Sequence, residues 1–141
     1  MLVDANILLF AVDEHSRFHP TARHWLEETL RGAERVALPW QSLGAFLRLS
    51  TNSRVYPRPL APEVAWAQVS AWLALDTVWA PNPGPSYAEI LGRLLLRYDV
   101  RANLVPDAQL SALALEHGLS VYSADTDFAR FTEIEWVNPL A

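Results

Sequence analysis

The stretch Leu2-Val3-Asp4-Ala5-Asn6 places a short apolar run directly before an acid at the start of the chain. A short apolar run of this kind indicates a buried strand. Residues Ile7 to Val12 are also apolar, so Asp4 could simply cap a helix that follows the strand. It could equally stand at the carboxyl end of the strand, where the ligands of open α/β sheets collect. The pattern leaves both roles of Asp4 open.

Further strand-like and helix-like segments alternate along the rest of the chain. The strand candidates are residues 36–38, 77–80, 120–122 and 135–137. Helices are expected over residues 21–31, 63–75, 86–98 and 106–117, with another from Pro39 to Asn52-Ser53. This alternation predicts an α/β fold with a short, mostly parallel central sheet flanked by helices. No linker, repeat or low-complexity tract interrupts it, so residues 1–141 are expected to form a single domain.

Composition excludes several classes of function. The chain has no cysteine, which excludes a disulfide framework, thiolate metal sites and a thiol nucleophile. Its eleven basic residues are all arginine, which excludes a P-loop and Schiff-base chemistry. The apolar runs are too short to span a membrane and no signal peptide is evident, so a cytoplasmic location is expected. The net charge of −5 argues against a generally basic nucleic-acid binder, but not against an enzyme that reaches nucleic acid through metals and local arginines.

Aspartates recur where the expected strands end and where one helix begins. Asp4 follows the first strand, and Asp125 and Asp127 follow the fourth. Asp107 opens a helix after a proline, where the helix dipole favours an anion. Because ligands collect at the carboxyl ends of parallel strands, we expect Asp4, Asp107 and Asp125 to meet at one edge of the sheet. Such carboxylates repel one another, and Mg²⁺ or Mn²⁺ is the cation that hard oxygen ligands suit.

Three polar residues accompany these acids. Asn6 follows Asp4, Asn103 precedes Asp107, and Ser123 precedes Asp125. Their side chains could orient a carboxylate or a metal-bound water. They could instead serve ordinary turn chemistry, and each aspartate taken alone could be only a helix cap.

The joint arrangement of these residues resembles the PIN-domain family. Asp4-Ala5-Asn6, Asn103-Leu104-Val105-Pro106-Asp107-Ala108 and Ser123-Ala124-Asp125-Thr126-Asp127-Phe128 are similar to its acidic motifs. The resemblance is greatest to the VapC toxins of bacterial toxin–antitoxin pairs, in particular to an actinobacterial branch with stretches such as Leu38-Pro39-Trp40 and Phe46-Leu47-Arg48-Leu49.

The resemblance implies a PIN-like three-layer sandwich and a Mg²⁺- or Mn²⁺-dependent endoribonuclease. It also implies a homodimer that a cognate VapB-like antitoxin holds inactive. On this analogy Asp4, Asp107 and Asp125 would be catalytic metal ligands, and Asp127 a further ligand. The cation would polarise a phosphodiester oxygen and lower the pKa of a bound water that attacks it.

One position departs from the family pattern. Members usually carry a glutamate in the helix after the second strand, and Phe46 aligns with it, while the nearby Gln41 is neutral. If the alignment is right, the Phe46 ring should lie within or just behind the acidic cluster. This departure keeps a second hypothesis open, a catalytically impaired PIN-like module that acts by binding RNA or a protein partner. A third, a phosphatase-like hydrolase with an aspartyl nucleophile, predicts an essential lysine that the chain lacks.

Arginines are the candidates for contact with RNA, because their planar guanidinium suits phosphate. We expect Arg48, Arg93 and Arg97 to serve this purpose. Arg93, Arg97 and Arg101 would share one helix face if the helix continues that far. The alternative for each of them is an ordinary solvated surface.

Overall fold

The strand at the start of the chain lies at the centre of a five-stranded sheet. The computed structural model describes residues 1–141. Its strands are β1 (Leu2–Val3), β2 (Val36–Ala37), β3 (Val78–Trp79), β4 (Val121–Tyr122) and β5 (Trp136–Val137). They lie in the order β3-β2-β1-β4-β5 and every pairing is parallel. The predicted sheet is confirmed, and the order reverses between β1 and β4, which is where open α/β sheets bind ligands.

Six α-helices connect the strands. They are α1 (Ala5–Val12), α2 (His19–Arg31), α3 (Trp40–Ser50), α4 (Pro62–Leu73), α5 (Tyr87–Arg97) and α6 (Val105–His117). Two short 3-10 helices, Ala102–Leu104 and Thr126–Arg130, precede α6 and follow β4. No helix combines the length and the apolar character needed to cross a bilayer.

The sheet separates two hydrophobic cores. Neighbouring strand residues point to opposite faces, so Leu2 belongs to one core and Val3 to the other. Helices α5 and α6 and the 3-10 helix Thr126–Arg130 cover the first face, while α1, α2, α3 and α4 cover the second. The predicted three-layer arrangement is therefore confirmed.

Helix α5 ends before Arg101. Arg93, Arg97 and Arg101 therefore do not share one helix face. The last residue of α5 is Arg97, and Asp99 then adopts a φ of +48°, a left-handed conformation that breaks the helix. Arg101 lies beyond this break, and its guanidinium pairs with Asp99 at 3.0 Å. The prediction that Arg101 shares a helix face with Arg93 and Arg97 is therefore wrong.

Candidate metal centre

Asp4 stands where β1 passes directly into α1. Its Oδ1 accepts a hydrogen bond of 2.8 Å from the Ala5 backbone N–H, which makes Asp4 the N-cap of α1. The pairing of Val3 with Tyr122 places Asp4 beside Ser123 at the carboxyl edge of the sheet. The Ser123 hydroxyl donates to Asp4 Oδ2 at 2.7 Å. Asp4 is therefore both the cap of a helix and the acid at the end of a strand.

Asn6 and Ser123 connect the ends of β1 and β4 through side-chain hydrogen bonds. The Asn6 amide donates to Ser123 Oγ at 3.0 Å and to Asp4 Oδ2 at 3.3 Å. Asn6 Oδ1 accepts from the Ala124 N–H, and Ser123 Oγ accepts from the Asp125 N–H. Ser123 is fully buried, so this network holds both carboxylate-bearing segments in a fixed geometry.

The remaining acids come from two other segments. Asp125 is the N-cap of the 3-10 helix Thr126–Arg130, and its Oδ1 accepts from the Asp127 N–H at 2.9 Å. Asp107 lies in the first turn of α6, directly after Pro106. One carboxylate oxygen each of Asp107, Asp125 and Asp127 lies within 4.8 Å of the others. Three carboxylates from two distant segments therefore converge on one small volume.

Burial and mutual repulsion raise the pKa values of two of these carboxyls. For Asp107 the largest cause is burial, and the charges of Asp125, Asp4 and Asp127 add to it, so that the pKa rises to about 7. The charge of Arg130 opposes this rise. The pKa of Asp4 is also raised, mainly by burial, against the lowering effect of its hydrogen bonds. The expected repulsion is present, although burial is the larger cause.

The donor set fits a hard divalent cation. All the converging groups are carboxylate oxygens, without thiol or imidazole, and a cation would relieve the repulsion that raises the Asp107 pKa. Asp4 is outside the group of three whose oxygens lie within 4.8 Å, and both its oxygens already accept hydrogen bonds. The exposed Asn103 forms no side-chain hydrogen bond with the protein, unlike Asn6 and Ser123.

Phe46 does not lie among the acids, so the expected position of its ring is wrong. The side chain is fully buried in the core on the α1–α4 side of the sheet, and its ring packs edge-on against Trp72 of α4, with centroids 5.0 Å apart. It also lines a cleft whose acidic members are Asp13 and Glu14. Leu43 and Phe46, one helical turn apart, are both buried and mark the core face of α3.

A different face of α3 is directed towards the acids. The Gln41 amide donates to the carbonyl oxygen of Pro106 at 2.7 Å, next to Asp107. Ala45 stands four residues after Gln41 and therefore shares its face. No acidic residue occurs in α3, so its face nearest the cluster supplies an amide and a methyl group but no carboxylate.

The three arginines expected to contact RNA have different surroundings. Glu133 binds Arg93 at 2.9 Å and Arg97 at 3.2 Å, so one carboxylate already holds both guanidinium groups. Arg48, in the last turn of α3, is exposed and has no ion pair. Sequence reasoning missed Arg130, which ends the 3-10 helix that Asp125 caps, although its position three residues after Asp127 was visible in the sequence.

Known proteins resemble this chain over nearly its whole length. The family model described as PIN domain matches residues 1–134. Ribonuclease VapC37 of Mycobacterium tuberculosis is 46% identical over 140 residues, covering 99% of this chain and 97% of that protein.

Solved structures show the same fold at lower identity. VapBC2 from Rickettsia felis, bound to a DNA fragment from its promoter, gives a TM-score of 0.72 at 13% identity, covering 97% of this chain and 96% of that one. VapC20 of Mycobacterium tuberculosis, described as a sarcin-ricin loop cleaving toxin, gives 0.68 at 21% identity, covering 91% and 92%. With a family model that spans most of the residues and a relative at 46% identity, the chain belongs to the PIN-domain family and, within it, to the VapC proteins.

Proposed function

We propose that the chain is a divalent-metal-dependent endoribonuclease, with Mg²⁺ or Mn²⁺ as its cofactor, and the toxin of a VapBC-type toxin–antitoxin pair. The observation that carries this proposal is the convergence of Asp107, Asp125 and Asp127 beside Asp4 at the carboxyl edge of the sheet. The names of the relatives support it, since one is a ribonuclease and another a toxin that cleaves the sarcin-ricin loop.

The four aspartates have distinct tasks in this proposal. Asp107, Asp125 and Asp127 would hold the cation, which when bound polarises a phosphodiester oxygen and makes water more acidic. Asp4 adds negative charge from a position fixed by Ser123 and the start of α1. Hydrogen bonds to Asp4 and Asp125 from neighbouring groups support a site that is arranged before substrate arrives. Its aspartates need not reorganise during the reaction.

The proposal includes partners and a location. A VapB-like antitoxin would bind and silence the protein, and the solved relatives that contain VapBC pairs support this. We propose a homodimer because apolar side chains such as Val64 and Leu96 remain exposed. We also propose a cytoplasmic location, because the substrate would be cellular RNA. Arg48, Arg93 and Arg97 stay candidates for RNA contact. For Arg93 and Arg97 the ion pairs with Glu133 must first break.

The competing hypothesis of an impaired binding module is not favoured. It depended on the missing family glutamate with Phe46 in its place among the acids, and Phe46 lies in the core. The lack of a carboxylate on α3 leaves a site of four aspartates, which still exceeds the one or two carboxylates of many Mg²⁺ sites.

The decisive experiment is cleavage of total bacterial RNA by the purified protein with and without Mg²⁺. We expect fragments with Mg²⁺, none in excess chelator, and none from Asp107→Asn with the metal present. Calorimetric titration with Mn²⁺ should show binding to the parent protein and much weaker binding to the variant. Cleavage that persists in chelator, or in the variant, would contradict a metal-dependent mechanism.

A further inference from the structure

Trp40 lies on the β2 side of the acids. Because Leu2 pairs with Ala37 in parallel register, Asp4 is level with Pro39, and Trp40 follows as the first residue of α3. The next residue, Gln41, donates to the carbonyl of Pro106 and so holds this end of α3 against the start of α6. Trp40 therefore stands at the same sheet edge as the carboxylates.

The Trp40 indole is unusually free for a large aromatic side chain. It is 48% exposed and packs against no other aromatic ring, whereas Trp25 stacks on Tyr122 and Trp72 packs on Phe46. The exposed part of the indole does not stabilise the fold, because its apolar surface stays in water. An exposed aromatic face beside a cluster of acids can stack an unpaired nucleobase, whatever the identity of the base.

Arg130 lies on the β4 side of the acids. It ends the 3-10 helix that Asp125 caps, and its guanidinium forms no hydrogen bond or ion pair. In a 3-10 helix residues three apart lie on the same side, so Arg130 shares the side of Asp127. Arg93 and Arg97, in contrast, are held by Glu133. Arg130 is therefore an unpaired cation beside four aspartates that would otherwise repel RNA.

We infer that Trp40 and Arg130 are substrate-binding residues on opposite sides of the acids, with the Trp40 indole stacking on an unpaired base and the Arg130 guanidinium binding a phosphate. The inference rests on the proposed function, because it assigns the substrate contacts of the same site. It predicts a preference for single-stranded RNA, since a duplex covers both faces of its internal bases.

Binding of a short fluorescein-labelled oligouridine, followed by anisotropy at several salt concentrations, tests the inference. The background is Asp4→Asn, which is expected to suppress cleavage, while asparagine keeps the capping role at the start of α1. We expect Trp40→Ala to weaken binding about tenfold, the effect of one lost stacked base. We expect Arg130→Ala to reduce the slope of log affinity against log salt by about 0.7, the effect of one lost phosphate contact.

Matched controls separate these effects from general damage. Trp66 of α4 is 51% exposed and Arg54 is exposed without an ion pair, and neither belongs to the acidic edge. Trp66→Ala and Arg54→Ala should bind like the background protein. Trp40→Phe should recover most of the affinity and Arg130→Lys most of the slope, because each restores a ring or a charge. If Trp40→Ala does not fold, Trp40→Leu removes the ring and keeps the apolar area.

The outcomes are distinct for the inference and for the proposed function. Equal effects of Trp40→Ala and Trp66→Ala, or an unchanged slope in Arg130→Ala, would overturn the inference even if the protein cleaves RNA. A change in oligomeric state on light scattering with unchanged oligouridine affinity would likewise assign Trp40 to a protein interface and overturn it. If the parent protein binds as expected but never cleaves RNA with Mg²⁺, the inference stands and the proposed function fails.

Discussion

The two ends of helix α1 both carry carboxylates, but their surroundings differ. At the N-terminal end, Asp4 meets Asp107, Asp125 and Asp127, which come from segments more than a hundred residues away. At the C-terminal end, Asp13 and its neighbour Glu14 line a cleft of about 390 Å³ together with cationic or ionisable partners, Arg58 and His15. At the first end four carboxylates share a single neighbouring cation, Arg130, so this end carries the larger excess of negative charge.

The helix dipole adds a second difference between the two ends. The positive end of the α1 dipole faces Asp4, while Asp13 stands at the negative end. A carboxylate at the start of a helix is stabilised by backbone N–H groups before any ligand arrives. Convergence of separate chain segments, rather than the size of a cavity, therefore distinguishes the candidate metal centre.

The largest expected effect concerns Phe46 of α3, which lines the same cleft as Asp13 at the C-terminal end of α1. Phe46→Glu should lower the free energy of unfolding by more than about 3 kcal/mol, because it removes a buried ring and buries an unpaired charge. Urea denaturation measures this loss. A folded Phe46→Glu protein with tighter Mn²⁺ binding would instead show that residue 46 lies among the acids.

Ala45→Glu is the matched control for that substitution. Ala45 is adjacent in sequence but shares the face of Gln41, which contacts the start of α6. A glutamate there should be tolerated and should tighten Mn²⁺ binding in calorimetry, because affinity rises with the number of charged ligands. Opposite outcomes at two neighbouring positions would establish which face of α3 is directed towards the acids.

The second effect is loss of catalysis without loss of the fold. Asp4→Asn and Asp107→Asn should each reduce RNA cleavage by about a hundredfold or more, since each removes charge that the site preorganises. Both variants should abolish growth inhibition in cells. Metal-free Asp107→Asn should be no less stable than the parent on thermal unfolding, because repulsion is relieved, whereas Asp4→Asn also loses the hydrogen bond that Oδ2 accepts from Ser123. Full cleavage in both variants would rule out the proposed metal mechanism.

The third effect is a pH dependence of the metal-free protein. The pKa of Asp107 rises from 3.8 to about 7 in the folded state, so the native protein keeps a proton that the unfolded chain loses over this interval. This contribution to stability is present below about pH 4 and is lost as the pH rises towards 7. Denaturation midpoints across this range measure it.

Asp107→Asn should flatten this decline, and saturating Mg²⁺ should remove it in the parent protein, because the cation stabilises the ionised carboxylates. An equally steep decline in the variant would mean that another group carries the effect.

The smallest expected effect is at the other end of α1. Asp13→Asn should leave RNA cleavage and Mn²⁺ affinity unchanged, because its carboxylate accepts only the local His15 N–H and none of the four converging acids lines its cleft. Cleavage assays beside Asp107→Asn provide the comparison. A loss of activity in Asp13→Asn would remove the distinction between the two ends of the helix.

Much of the site could be predicted because its acids follow local rules. Asp4 and Asp125 come shortly after apolar runs. Alternating strands and helices form a parallel sheet, so both residues lie at its carboxyl edge. The family alignment misplaces Phe46 because it assigns the wrong rotation to α3, whereas the apolar spacing of Phe46 with Leu43 indicates the core. The capture of Arg93 by Glu133 joins residues 40 positions apart, and no local pattern encodes such a pairing.

The pairing of β1 with β4 also determines when the site can exist. Leu2 pairs with Val121, and Asp4 receives its hydrogen bond from Ser123, 119 residues later in the chain. Contacts between residues so far apart form only after the intervening chain has been made and closed into a loop. During synthesis Asp4 is made more than a hundred residues before its partners. The full set of acids can therefore assemble only after β4 and the segment that follows it have been made.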